Sequence, residues 1–172
     1  DFEKYIKEEL SQRYVKESDR KLFNDGSLLF MKKTKIELPN EFLKKWLKMN
    51  AKKEFQESEF KKEYENYVKY LSWQLIENKI CEENNIQITN EALHAFTKKH
   101  VLEQMRSYGN VQMDDKEIEG IVGNVLKNKQ EAEKMTNELV LMELVKYFKS
   151  TMKIKTSTIT LDEFIKLANN QK

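Results

Sequence analysis

One cysteine, one proline and four glycines are spread over 172 residues, and each scarcity removes something. Cys81 has no second thiol to pair with, so no intrachain disulfide can form, which is compatible with a reducing compartment. So few backbone breakers, in a chain rich in Lys, Glu, Leu and Asn, predict an all-α protein. No apolar stretch approaches the roughly 20 residues needed to span a bilayer. The richest run, Leu139 to Val145, is short and interrupted by Glu143. The start, Asp1-Phe-Glu-Lys, has no cationic segment followed by an apolar one, so it does not read as a secretory leader. Because it is not Met, a processed chain or an excised piece of a longer one is expected. An excess of one charge is also missing: 31 basic side chains face 29 acidic ones, net +2, with the signs interleaved throughout. A protein that holds nucleic acid by its phosphates concentrates cations, so this balance argues against direct nucleic-acid binding.

Catalytic signatures are absent too. There is no GxxxxGK[ST] and no GxGxxG, and nothing suggests nucleotide binding. His94 and His100 are six apart, on different faces of a helix, with no Cys or second His at ligand spacing, so they read as surface or boundary histidines. Cys81 lacks a catalytic neighbourhood and reads as a small, partly buried hydrophobe. In the pairs Glu8-Glu9, Glu82-Glu83 and Asp114-Asp115, adjacent helical side chains point about 100° apart, which suits solvated faces or caps better than a shared site. Lys62 to Tyr70 mixes tyrosines with cations as a single-strand binder would, but Glu63 and Glu65 would repel phosphate, and the tyrosines read as packing. No enzymatic site, metal or cofactor is expected.

What the chain does have is long amphipathic helices joined in a recurring way. A helix is expected over about 2–31, with Phe2, Ile6, Leu10 and Tyr14 on one face and Gly26 as a candidate bend. Pro39 suits the first turn of the next helix, which carries Phe42, Leu43, Trp46, Leu47 and Met49 and continues towards Phe55. A longer helix over about 58–83 places Phe60, Tyr64, Tyr67, Val68, Leu71, Leu75, Ile76 and Ile80 near one stripe. Another is expected over about 92–105, then a turn over 108–113. A capping box, Asp114-Asp-Lys-Glu117, opens a short helix with Ile118, Ile121, Val122 and Val125 at three-four spacing. A last long helix is expected over about 130–152. A second capping box, Thr160-Leu-Asp-Glu163, opens a terminal helix, and the tail 169–172 is expected to fray.

Three times a helix gives way to a short Ile-rich extended step and a new capped helix with an acidic residue. The joints are Thr34-Lys-Ile-Glu-Leu-Pro-Asn-Glu41, Asn84-Asn-Ile-Gln-Ile-Thr-Asn-Glu91 and Lys155-Thr-Ser-Thr-Ile-Thr-Leu-Asp-Glu163. Their irregular spacing argues against a uniform solenoid and for helical hairpins leaving and rejoining a common base. The seven methionines lie mostly on apolar faces or near helix ends. They serve either as core filling or as an adaptable binding surface, since an unbranched, polarizable side chain fits many partners.

In the C-terminal third, Asn137-Glu-Leu-Val-Leu-Met-Glu-Leu-Val-Lys-Tyr-Phe148, Met152-Lys-Ile-Lys155 and Thr158-Ile-Thr-Leu-Asp-Glu-Phe164 follow one another, and this succession resembles the end of bacterial trigger factor. In that family the last long helix is followed by a short "K-[VI]" step and a helix opening T-x-[DN]-E-[FL]. Lys35-Ile-Glu-Leu-Pro39, followed by Phe42 and Leu43, is similar to the family's "I-x-[LV]-P" step, and Asn85 to Glu91 to its counterpart before a second arm. The resemblance runs through essentially the whole chain in order and rests on three joints in sequence rather than on one sharp motif.

The resemblance implies the family's C-terminal chaperone domain: an elongated helical body, about 1–38 and 154–172, with two protruding arms, about 39–88 and 89–153, forming a cradle for unfolded chains. It implies unfolded or nascent polypeptides as partners, allows a weak homodimer, and implies a cytoplasmic location with no membrane partner. The ribosome-docking domain with its Gly-Phe-Arg loop and the prolyl-isomerase domain have no counterpart in this sequence. This piece is therefore expected neither to dock on ribosomes in the family's manner nor to isomerise prolines. The expected activity is ATP-independent capture of apolar segments. Expected contact residues are Phe42, Trp46 and Met49 in the first arm and Met105, Tyr108, Ile118, Ile121 and Val122 in the second, although the same pattern serves helix packing equally well. Two other classes remain open: a helical scaffold for one folded protein partner, and an RNA-binding helical module, which the charge balance disfavours.

Overall fold

The computed structural model describes residues 2–51, 56–107, 109 and 114–169. Among the described residues seven helices follow one another, α1 Phe2–Lys33, α2 Asn40–Asn50, α3 Glu57–Glu83, α4 Asn90–Ser107, α5 Asp115–Lys127, α6 Lys129–Thr151 and α7 Leu161–Asn169. No strand occurs among the described residues, so the all-α expectation holds. α1 runs through Gly26 without interruption, and Gly26 and Ser27 are its buried residues.

Side-chain chemistry explains the starts of α4, α5, α6 and α7. At α5 the Asp114 carboxylate accepts the Glu117 N–H at 2.7 Å, and the Glu117 carboxylate accepts the Asp114 N–H at 3.0 Å. Two otherwise orphaned donors are thus paired reciprocally. Thr160 and Glu163 repeat the device at α7, with Glu163 accepting the Thr160 N–H at 2.8 Å and Thr160 Oγ1 accepting the Glu163 N–H at 3.4 Å. At α6 the Asn128 amide oxygen accepts from the N–H groups of Gln130 and Glu131, and at α4 Thr89 Oγ1 accepts from Ala92 N–H. α3 stops where Asn85 turns left-handed, φ 53°, a conformation Asn tolerates at a helix C-terminus.

α2 differs from expectation at both ends. Pro39 precedes the helix instead of occupying its first turn, with φ −74° and ψ 75° and no side-chain cap bond. Its rigid ring has no donor or acceptor to offer there. The helix ends at Asn50, with Ala51 extended, so it does not continue as expected; residues 52–55 lie outside the described residues. The expected turn over 108–113 lies outside them except for Gly109, whose φ is +88°, and the tail lies outside them from residue 170.

The chain divides into two compact units, residues 1–23 with 86–172, and residues 24–85. In the first, α4, α5 and α6 pack on one another. Phe148, Leu144 and Val122 are fully buried, with Met135, Val145, Leu139, Val101 and Ile118 nearly so. The N-terminal part of α1 joins this unit through Phe23, stacked on Phe148 with ring centroids 6.4 Å apart, and through ion pairs Asp19–Lys149 at 2.6 Å and Lys16–Glu103 at 3.1 Å. Thr97 is fully buried, and its hydroxyl is satisfied by donating to the Leu93 carbonyl at 2.8 Å. In the second unit Leu43, Ile76 and Ile80 are the buried apolar residues.

Candidate functional site

α2 meets α3 along an aromatic row. Trp46 stacks on Tyr67 at 5.7 Å, Phe60 stacks on Tyr64 at 6.3 Å, and the Tyr64 hydroxyl donates to the Asn40 amide oxygen at 2.7 Å. The ammonium of Lys48 sits 4.8 Å from the centre of the Phe60 ring and that of Lys44 5.7 Å from Tyr64, each a cation–π contact in range. Lys44 also holds Glu41 at 3.0 Å. That hydrogen bond lowers the carboxyl pKa of Glu41 and raises the ammonium pKa of Lys44.

With Leu43 buried and Trp46 partly engaged, the remaining apolar side chains of α2 point elsewhere. Phe42 is 62% exposed and Met49 85% exposed. They are seven positions apart, two helical turns, and therefore share a face, with the exposed Lys45 and the uncovered part of Trp46 between them. Isolated exposed hydrophobes are ordinary, but adjacent ones on one helix face form a patch that another chain can cover.

The contacts expected on the second arm are placed differently. Val122 is fully buried and Ile118 almost so, in a cluster with Val101, and Met105 and Ile121 are half-buried against that cluster together with Leu102 and Leu126. Four expected contacts thus lie together, but Ile118 and Val122 offer no surface to a visiting chain in this structure. α5 is short, and the apolar residues that pack it on α4 are the ones buried. Tyr108 lies outside the described residues. Across the same hairpin, Glu119 receives both His94 Nε2 at 2.9 Å and Lys98 Nζ at 2.8 Å, and Lys98 also approaches Asp115 at 3.6 Å. The bond from Lys98 is the first cause of the lowered Glu119 carboxyl pKa.

Among the described residues no group of three or more His, Cys, Asp or Glu side chains converges as metal ligands would. Burial, and then the charge of Glu77, push the Cys81 thiol pKa up, away from the thiolate that nucleophilic work needs.

Sequence reasoning passed over two exposed regions. Along α1, Phe2, Ile6, Leu10 and Tyr14, expected to share one face, are all exposed, and so are Tyr5 and Val15. Residues 153–160, expected only as a connecting step, run past α1 in the open. The signal for the second was present in the run of β-branched residues Ile154, Thr156, Thr158, Ile159 and Thr160.

A family model described as "Probable trigger factor, C-terminal domain" matches residues 18–168 of the chain. No curated protein and no solved structure matches it. Among the described residues, no helix is long and apolar enough to cross a membrane.

Proposed function

The chain belongs to the trigger factor C-terminal domain family, and from that premise we propose that it is an ATP-independent holdase module that covers apolar segments of unfolded polypeptides. Family membership supports a chaperone role in general. The observation that carries the specific reading is the exposed face of α2, where Phe42 and Met49 stand in solvent while Leu43 and the Trp46–Tyr67 stack fix the helix from behind. Burying one large apolar side chain yields roughly 1.5–3 kcal/mol, and ordering an unfolded client takes much of that back. Each patch therefore binds weakly, and several patches engaged by one client gain through the shared chain. The half-buried Met105 and Ile121 contribute through their uncovered edges, with Ile118 and Val122 as the support beneath. In this reading the hairpin of α2 and α3 acts as one arm and residues 89–153 as the other, and the dense interleaved charge keeps the empty surface from self-associating.

The test is suppression of aggregation of a chemically denatured model protein by the 172-residue chain without nucleotide. The expected result is suppression at a few-fold molar excess that weakens in a Phe42→Ser, Met49→Ser double variant of unchanged helicity. No suppression at several-fold excess, with one stoichiometric complex formed by a folded protein instead, would replace the holdase with a helical scaffold.

A further inference from the structure

From Lys153 to Thr160 the backbone has no helix, turn or bend and no left-handed residue, so it is an open, non-helical segment, long enough to lie alongside a strand of similar length, roughly 25 Å at about 3.3 Å per residue. Every residue of it is exposed. Among the described residues, no N–H or C=O group from Lys153 to Ile159 has a protein hydrogen-bond partner. The bonds at its ends belong to its neighbours, Met152 N–H to the Phe148 carbonyl and Thr160 N–H to Glu163. A non-helical segment with unpaired backbone groups and β-branched side chains can serve as a template for a pairing strand.

The surroundings fit such a guest. A cleft of about 400 Å³ separates the segment from α1 and is lined by Tyr14 and Ser18 on one side and Ser157, Ile159, Leu161 and Phe164 on the other. Tyr14, Ile159 and Leu161 are exposed within it, so it offers an apolar seat to a side chain of an added strand. Charge then selects the occupant. Lys153 and Lys155 are exposed and make no ion pair among the described residues, and no acidic residue lies between Phe148 and Asp162. A second copy of this segment would bring lysines towards lysines. An extended apolar segment that also carries carboxylates would pair with them.

We propose that residues 153–159 form a second client site, which captures an extended, apolar, acid-bearing polypeptide segment by backbone strand pairing, with one of its side chains seated in the cleft beside Tyr14. This rests on the reading of the chain as a binder of unfolded polypeptides, and it adds a mode that the apolar patch on α2 lacks. Main-chain bonds supply affinity without demanding a sequence, and the lysines and the cleft supply the preference.

The experiment is amide hydrogen exchange on the full chain with a synthetic eight-residue peptide alternating Leu or Val with Glu and Thr, beside the same peptide N-methylated at alternate residues. Strand pairing predicts at least tenfold slower exchange at alternate amides between Lys153 and Ile159. It also predicts at least tenfold weaker binding of the methylated peptide, and at least threefold weaker binding of the unmethylated peptide by a Lys153→Glu, Lys155→Glu double variant. Peptide binding that leaves these amides unprotected and ignores methylation overturns the inference while leaving the holdase reading in place. The same holds if aggregation is suppressed and this peptide does not bind. Failure of both peptide binding and aggregation suppression removes both readings. Protection that appears without peptide and grows with protein concentration identifies a second copy as the occupant and also overturns the proposal.

Discussion

Trp46 lies flat against Tyr67, ring planes 20° apart, and still leaves 42% of its surface open. One side chain thus fastens α2 to α3 and borders the exposed face formed by Phe42 and Met49. Truncating it removes an aromatic pair worth about 0.5–1.5 kcal/mol beyond its area burial as well as part of the proposed binding face. Trp46→Ala is expected to lower Tm by several degrees and to weaken client capture, so alone it cannot separate the two roles. Phe42→Ser with Met49→Ser should leave Tm within about 1 °C, because neither residue's apolar surface is well covered, yet reduce aggregation suppression at least threefold. Thermal melts and aggregation assays on both variants check this.

Val122 makes the opposite case. It is fully buried between α4 and α5 with Val101 and Ile118 beside it, so Val122→Ala removes packing without exposing or deleting binding surface. A loss of about 1–3 kcal/mol is expected, read as a Tm lowered by about 2–10 °C, with client capture per folded molecule unchanged. A variant that melted normally but lost capture would place Val122 at the client surface.

α5 also carries two glycines in its interior. Cβ atoms added at Gly120 or Gly123 meet nothing within 4 Å, and neither residue has a positive φ. Alanine therefore gains helix propensity and restricts the unfolded chain with no clash. Gly120→Ala is expected to stabilise by about 0.5–1 kcal/mol, seen as a Tm raised by about 1–4 °C. A lowered Tm would mean that α5 needs the glycine for a contact absent from this structure.

Two helix starts were legible in the sequence as side-chain caps. Asp114 with Glu117 and Thr160 with Glu163 are pairs whose spacing alone dictates the bonds they form. The family was legible in the three joints, because extended steps between capped helices survive as local patterns. Which apolar face meets a neighbour was not legible. Phe42 and Met49 repeat at the same helical period as Ile118 and Val122, yet the first pair is exposed and the second buried. Periodicity records which side chains share a face and carries no information about what that face touches. The stripe along α1 shows the same limit: Phe2, Ile6, Leu10 and Tyr14 return every four residues and all remain exposed. Pro39 displaced the α2 start by one residue because a local preference for the first turn yielded to the chain entering from the extended step.

Glu77 supplies a pH dependence that can be assigned to one group. Burial is the first cause of its raised carboxyl pKa, opposed by a hydrogen bond from Trp73 one turn earlier on α3. A carboxyl whose folded pKa lies above its unfolded value contributes stability that is complete below the unfolded pKa, about 4.3, and is lost as pH rises through the folded pKa. Above its folded pKa the Glu77 carboxylate is thus a half-buried charge working against the fold. Gln keeps the shape and can still accept from Trp73, so Glu77→Gln should raise Tm at pH 7. Because the site is half open to solvent, the gain is expected to be under about 1 kcal/mol, about 1–3 °C, and it should vanish below about pH 4. Cys81, one turn further along α3, feels the same charge as the second cause of its raised thiol pKa, after burial. The variant should therefore also make that thiol react somewhat faster with a neutral disulfide reagent at pH 8. A Tm gain that persists unchanged at pH 3.5 would show that volume or hydrogen bonding, and not the charge on Glu77, sets the difference.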